Sequence, residues 1–240
     1  YWGFHIYITY QEKIPPNLFL PLVRPFIIYI NIIMKVLELF KGSGSITKYF
    51  ENTDNEIISL DIVSKYSPTI CSDIMEWDYK EYPVGHFDII WASPECKIFS
   101  QLQHTNIGRK WKDKEELQTQ RDIHSKFIIK TIEIIRYFNP TYYFIENPLY
   151  SKIWDYVDAD YKNDFVIADY CYFGFRYKKP TKILTNKNLD HKRCSCKKHD
   201  TNIGISSKKF TKKANLKIDD TTTMERYSIP LTLLDYLFSE

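Results

Sequence analysis

The chain has 240 residues, 44% of them hydrophobic, with a formal net charge of +3 and five cysteines. That is enough apolar material for one sizeable core, which excludes a disordered chain, and the small positive charge permits a polyanionic partner without requiring one. An odd, sparse set of cysteines excludes a disulfide-stapled secreted framework and points to a reducing, intracellular compartment.

Residues 18–33 are apolar but are interrupted by Pro21, Arg24 and Pro25. The unbroken part is too short to span a bilayer, and a basic leader with a small-residue cleavage site is lacking, so neither a membrane anchor nor a signal peptide is expected. Met34 directly precedes the first well-formed motif. Residues 1–33 are therefore expected to be a non-native or poorly ordered N-terminal extension, the alternative being an added strand or helix on the core.

Residues 35–40, KVLELF, predict a short strand, and 41–45, KGSGS, a glycine turn leading into a helix at 46–50. Strand, glycine turn and helix form a nucleotide-cofactor arrangement, in which glycines let the backbone approach a ligand and the helix N-terminus offers free N–H groups. A second strand, 57–60, ends at Asp61, 17 residues past Gly44. A carboxylate there suits ribose hydroxyls, or is an ordinary loop aspartate. A third strand at 69–71 leads to Asp73, which suits an adenine amino group or caps a turn.

Residues 87–91, FDIIW, predict a buried parallel strand, stopped by Ala92-Ser93-Pro94. Cys96 follows in the loop, where ligands bind in an open α/β sheet. It is either a nucleophile or a small buried hydrophobe. Residues 101–115 are polar and basic around Trp111, as in a loop touching phosphates or one merely solvated. A helix is predicted over 116–138, with Ile123, Phe127, Ile128, Ile132 and Ile135 on one face, ended by Asn139-Pro140. The strand at 141–145 ends in Glu146-Asn147-Pro148. A carboxyl at a buried strand's end must be paired or protonated, which suits a proton donor.

Two more strands, 165–172 and 181–185, flank a basic, aromatic loop at 173–180. Residues 187–220 hold ten Lys/Arg against four Asp, a poor core and a good electrostatic surface. Within them His191, Cys194, Cys196 and His199 are either a small zinc site or a basic loop with incidental thiols. A closing helix is expected within 224–238, with Pro230 near its start and Leu231, Leu234, Leu237 and Phe238 as its apolar stripe. The alternation predicts an α/β domain, Rossmann-like, with a mostly parallel sheet, helices on both faces and a terminal antiparallel hairpin. The expected divisions are an extension (1–33), a catalytic core (34–186), a short basic recognition insert (187–220) and a C-terminal helix on the core (221–240).

Taken together these motifs resemble the cytosine-5 DNA methyltransferases, especially short phage and viral members. Phe40-Lys-Gly-Ser-Gly44 resembles the FxGxG cofactor loop, Ser93-Pro-Glu-Cys-Lys-Ile-Phe-Ser100 the catalytic PPCQxFS segment, and Glu146-Asn147 the ENV segment. Residues 172–186 resemble the KPTxxxTN hairpin of phage members and 226–230 their closing segment. The resemblance implies S-adenosylmethionine as cofactor, held by Phe40, Gly42, Ser43, Gly44, Asp61, Ile62, Asp73 and Ile74. It implies Cys96 as nucleophile, Glu146 as the partner of cytosine N3, and Asn147 and Pro94 as shapers of the loops around the base. Double-stranded DNA with a flipped cytosine is the implied partner of a monomeric enzyme, as in restriction–modification, with Ser100, Lys110, Lys178, Lys179 and Lys182 touching the nucleic acid. Cytosine-5 methylation of tRNA and a catalytically decayed binding protein are the alternatives. Two residues depart from the pattern. Glu95 replaces proline and would raise the thiol's pKa, and Lys97 replaces glutamine and would lower it. The QxRxR segment has no clean counterpart.

Overall fold

The computed structural model describes residues 33–161, 164–175, 177–195 and 227–239. The expected N-terminal extension, apart from residue 33, and most of the basic insert lie outside the described residues, as do Cys196 and His199.

Seven strands make one sheet: β1 (Lys35–Leu39), β2 (Glu56–Asp61), β3 (Ile70–Cys71), β4 (Ile89–Ala92), β5 (Tyr142–Pro148), β6 (Phe165–Asp169) and β7 (Pro180–Thr185). Their order is β3-β2-β1-β4-β5-β7-β6. The first five run parallel, while β7 inserts antiparallel between β5 and β6, giving the expected terminal hairpin. Short apolar runs such as IIWA in β4 are buried on both faces, as interior parallel strands must be.

Strand alternation divides the core into two layers. Leu37, Leu39, Ile90, Ala92, Tyr143 and Ile145 face the long helix α2 (Lys114–Phe138). Val36, Ile89, Trp91 and Phe144 face the opposite layer, where α1 (Ser45–Phe50) and α3 (Leu231–Phe238) pack. Asp113 caps α2 by accepting from Glu116 N at 2.8 Å, so the helix begins two residues earlier than its apolar pattern alone suggests. Its buried stripe runs Leu117, Arg121, Ser125, Ile128, Ile132, Ile135 and Phe138. Ile123 does not belong to it and is 50% exposed, because it is displaced from the Leu117–Arg121–Ser125 row. Each fully buried isoleucine of the stripe stabilises the packing by about 1.5–3 kcal/mol.

Three other expectations are corrected at element ends. The sixth strand stops at Asp169, and residues 170–173 coil into a 3₁₀ turn closed by Gly174 in the left-handed conformation. β5 runs on to Pro148, because β7 continues its ladder beside Glu146 and Asn147. Pro230 is the N-cap of α3 rather than an interior residue, which leaves Leu231 exposed and brings Leu233 into the stripe with Leu234, Leu237 and Phe238. The start of the basic insert also joins the core: Lys192 bridges Ala168 of β6, exchanging backbone bonds with Ile167 and Asp169. No helix among the described residues is long and apolar enough to cross a membrane.

Candidate functional site

The carboxyl ends of β1, β2, β4 and β5 open onto one cavity of about 560 Å³. Its volume is in the range of small-molecule and cofactor sites. Most residues singled out in the sequence line it: Phe40, Gly42, Ser43, Asp61, Ile62, Asp73 and Ile74 at one end, and Pro94, Cys96, Glu146 and Lys179 at the other.

The glycine turn after β1 is tied down by the acid after β2. Asp61 Oδ2 accepts from Gly42 N at 2.9 Å and Oδ1 from Val63 N at 2.8 Å. Gly42 has φ +47° and Gly44 φ +67°, where an L side chain is strained. A Cβ on Gly44 would also stand 3.2 Å from the Lys41 side chain. Phe40 adopts φ 58°, uncommon for an aromatic residue, and its ring meets Phe127 of α2 edge-on at 6.5 Å. Asp73 caps its own turn by accepting from Met75 N at 2.9 Å, and it lines the cavity as well.

The helix N-terminus differs from the expectation. Glu38, buried in β1, accepts from Ile46 N, Thr47 N and the Thr47 hydroxyl, so donors expected to meet a ligand are already satisfied. Burial pushes the Glu38 carboxyl up, and these hydrogen bonds oppose that shift. A carboxyl lining this end of the cavity favours a cationic group over an anion. Apolar Phe40, Ile62 and Ile74, with the carboxylates Asp61 and Asp73, fit a nucleoside bearing hydroxyl and amino donors. The donor set therefore fits the positively charged nucleoside sulfonium that the resemblance implies.

Cys96 enters from the loop after β4, which is fastened from two sides. Asn147, 1% exposed, donates from Nδ2 to Pro94 O at 2.9 Å. Arg121, buried on α2, donates from Nε to Ile98 O and from Nη2 to Ser100 O, both at 3.2 Å. Burial pushes the Cys96 thiol above its ordinary 9.0, the Glu146 carboxylate adds to this, and the Lys179 ammonium opposes it. Glu95 raises it least among the named causes. Its carboxylate is 52% exposed and lies 3.6 Å from His124 Nδ1 of α2. Alkylation of the cofactor-free protein with iodoacetamide follows the thiolate. The Cys96 rate, read by peptide mass spectrometry with exposed Cys71 as reference, is expected to be still rising at pH 9. A plateau below pH 8 would contradict the burial argument.

Glu146 is 7% exposed and is held by the antiparallel hairpin. Tyr170, the first residue after β6, donates its hydroxyl to Glu146 Oε1 at 3.1 Å. Lys179, just before β7, places Nζ 3.4 Å from the same oxygen.

Several sequence-chosen residues lie away from the cavity lining. Gly44 shapes the turn from behind, and Asn147 acts through Pro94. Ser100 caps the 3₁₀ turn Gln101–Asn106, accepting from Leu102 N at 3.2 Å. The Lys110 ammonium lies 4.3 Å from the Trp111 ring centroid, and Trp111 itself is buried, with Nε1 donating to Gln103 Oε1. Lys178 pairs with buried Asp169 at 3.7 Å. Lys182 lies over the Phe165 and Trp154 rings in a separate groove. Of the metal-site residues, His191 Nδ1 accepts from Ile167 N and its ring stacks on Phe165, while Cys194 N donates to Asp169 Oδ2. Among the described residues no metal-ligating cluster forms.

Reasoning from sequence missed Glu38, Arg121, Tyr170 and Tyr227. Tyr227 lines the cavity, and its carbonyl accepts from the Ser43 hydroxyl at 3.4 Å. Glu38 and Arg121 had a legible signal, a charge inside an apolar pattern.

No family model matches the chain. It is 31% identical over 160 residues to the "Probable DNA (cytosine-5)-methyltransferase" of Frog virus 3, covering 64% of this chain and 71% of that protein. Among solved structures it is similar to the Entamoeba histolytica methyltransferase EhMeth (16% identity, TM-score 0.48, 69% of this chain and 58% of that one). It is also similar to the Dnmt2 methyltransferase of S. pombe (14% identity, TM-score 0.44, 66% and 52%). The chain thus spans little more than half the length of these solved proteins. On the viral relative, most of whose length it covers, the chain belongs to the DNA (cytosine-5)-methyltransferase family.

Proposed function

We propose that the protein transfers a methyl group from S-adenosylmethionine to C5 of a cytosine turned out of double-stranded DNA. One observation carries the reading: Cys96 and Glu146 line the same cavity as the glycine turn, Asp61 and Asp73. Phe40, Ile62 and Ile74 would enclose the nucleoside of the cofactor, Asp61 and Asp73 its hydroxyl and amino donors, and Glu38 its cationic end. When bound, the cofactor supplies an electrophilic methyl group on sulfur.

The residues of the chain then supply what cytosine lacks. C5 is a poor nucleophile until C6 carries an electron-rich substituent. The Cys96 thiolate adds to C6, forming an S–C6 bond and pushing the C5=C6 pair towards C5. Glu146 gives a hydrogen bond or proton to N3, where negative charge develops. C5 would take the methyl group as its bond to sulfur breaks, leaving a neutral thioether; a base then removes the C5 proton, the C5=C6 bond re-forms, the thiolate leaves and any proton on N3 returns to Glu146. Asn147 keeps Pro94, and so the nucleophile's loop, at a fixed distance from β5. The target must leave the base stack to reach the cavity. Lys110, Lys178, Lys182 and the basic insert, with Ser100, would hold the backbone on either side. The reading is of a monomer acting inside a cell.

Incubation with labelled methyl donor and either duplex DNA or tRNA tests this. Label is expected in DNA cytosine, with bisulfite sequencing giving the site. Label in tRNA alone would move the substrate to RNA, and no label in either would overturn the enzymatic reading.

A further inference from the structure

Glu146 must present a proton, or a proton-sharing oxygen, to the base in one direction, and a carboxyl group has two equivalent oxygens. In this site they are not equivalent. Tyr170 is fully buried and its hydroxyl donates to Oε1 at 3.1 Å. The Lys179 ammonium is 3.4 Å from that same oxygen and 4.5 Å from the Tyr170 ring centroid. Both contacts fall on the same oxygen of a carboxyl group that lines the cavity.

Resting on the function proposed above, we propose that Tyr170 is a positioning residue for the reaction. Its hydroxyl keeps Oε1 of Glu146 as the accepting oxygen and so directs the carboxyl proton to Oε2, the oxygen left for cytosine N3.

Three features support this. A buried tyrosine hydroxyl takes a partner, and here the partner is the carboxylate of the site rather than a main-chain carbonyl. The phenol remains a donor at any working pH, because burial holds its proton well above the ordinary 10.0. The ring is also fixed: Tyr170 N donates to Lys179 O at 3.2 Å, Phe175 N donates to Tyr170 O at 3.2 Å, and the Phe175 ring meets it edge-on at 5.4 Å. A proton on Oε1 would have to displace one of its two donors, the Tyr170 hydroxyl or the Lys179 ammonium.

The test is a double-mutant cycle on the full chain, with single-turnover methyl transfer measured for wild type, Tyr170→Phe, Glu146→Gln and the double variant. Tyr170→Phe keeps the ring and removes only the O–H. It is expected to lower the rate about tenfold, as for loss of one well-placed hydrogen bond, with the KM for DNA unchanged. In the Glu146→Gln background the same change should cost less than twofold, since there is no longer a carboxyl proton to direct. Equal losses in both backgrounds, or a wild-type rate for Tyr170→Phe, would overturn the proposal. Should Tyr170→Phe fail to fold, judged by loss of cofactor binding, Thr181→Val replaces it, because the Thr181 hydroxyl donates at 3.2 Å to Lys179 O, the carbonyl that also holds Tyr170 N. A few-fold loss confined to the Glu146 background is then expected, and equal losses would again refute it. A wild type that transfers no methyl group sinks the reading of the site, whereas an active wild type with additive losses sinks only the role of Tyr170.

Discussion

Cys96→Ala is expected to abolish methyl transfer while leaving cofactor affinity within about twofold of wild type. The two halves of the cavity separate these effects. Cys96 comes from the loop after β4, whereas the glycine turn, Asp61 and Asp73 come from β1, β2 and β3. Removing a nucleophile that forms a bond to substrate lowers the rate by roughly 10⁴-fold or more, because no neighbouring group can make that bond. Alanine also shortens a side chain that is only half-buried, so the fold should survive. Calorimetric titration with the cofactor, beside transfer of labelled methyl to DNA, reads both quantities. Turnover within tenfold of wild type would remove the covalent scheme, and joint loss of binding and turnover would mean that the loop supports the cofactor end too.

Glu146→Gln is expected to slow the chemical step by roughly 10²–10³-fold, the size of effect seen when a hydrogen bond aimed at developing charge is removed. Glutamine keeps the shape and can still meet Tyr170 and Lys179, but it cannot pass a proton to N3. DNA affinity should change little, because Glu146 is 7% exposed and lies in the β5 ladder beside Ile183, not on a surface that tracks phosphates. Burst kinetics separate the two: the burst rate should fall while the dissociation constant for DNA holds. The reverse pattern would make Glu146 a binding residue and remove it from the chemistry.

The order of motifs at strand ends was legible in the chain because each parallel strand is a short apolar run that stops at a glycine, proline or acid. The strands ending near Phe40, Asp61, Cys71, Ala92 and Glu146 all emerged, and so did the shared cavity they imply. What was hidden depends on partners distant in sequence. The strand containing Glu146 reaches Pro148 only because β7 continues the ladder. Asp61 stood out as a ribose ligand, yet its two oxygens also accept from Gly42 and Val63, a tie no spacing rule reveals. Glu95 looked set to disturb Cys96, yet burial and the Glu146 charge act on the sulfur more strongly than Glu95 does. Tyr170 is one of 19 tyrosines, and only the turn after β6 distinguishes it from the rest.

The lysines chosen as nucleic-acid contacts illustrate the same limit. A basic side chain in a loop carries no direction in sequence. Lys179 turns inward to Glu146, Lys178 turns to buried Asp169, and Lys182 lies across aromatic rings. They are three different positions within five residues of chain.

The central claim, that Cys96 forms a bond to cytosine C6, is tested most directly by mass measurement after reaction with DNA carrying 5-fluorocytosine in the presence of methyl donor. Fluorine at C5 cannot leave as a proton does, so the adduct cannot break down. A complex stable to denaturant, with the mass of protein plus methylated oligonucleotide and the cross-link mapped to Cys96, is the predicted result. A protein that methylates ordinary DNA yet yields no such complex, or one linked through another residue, would contradict it.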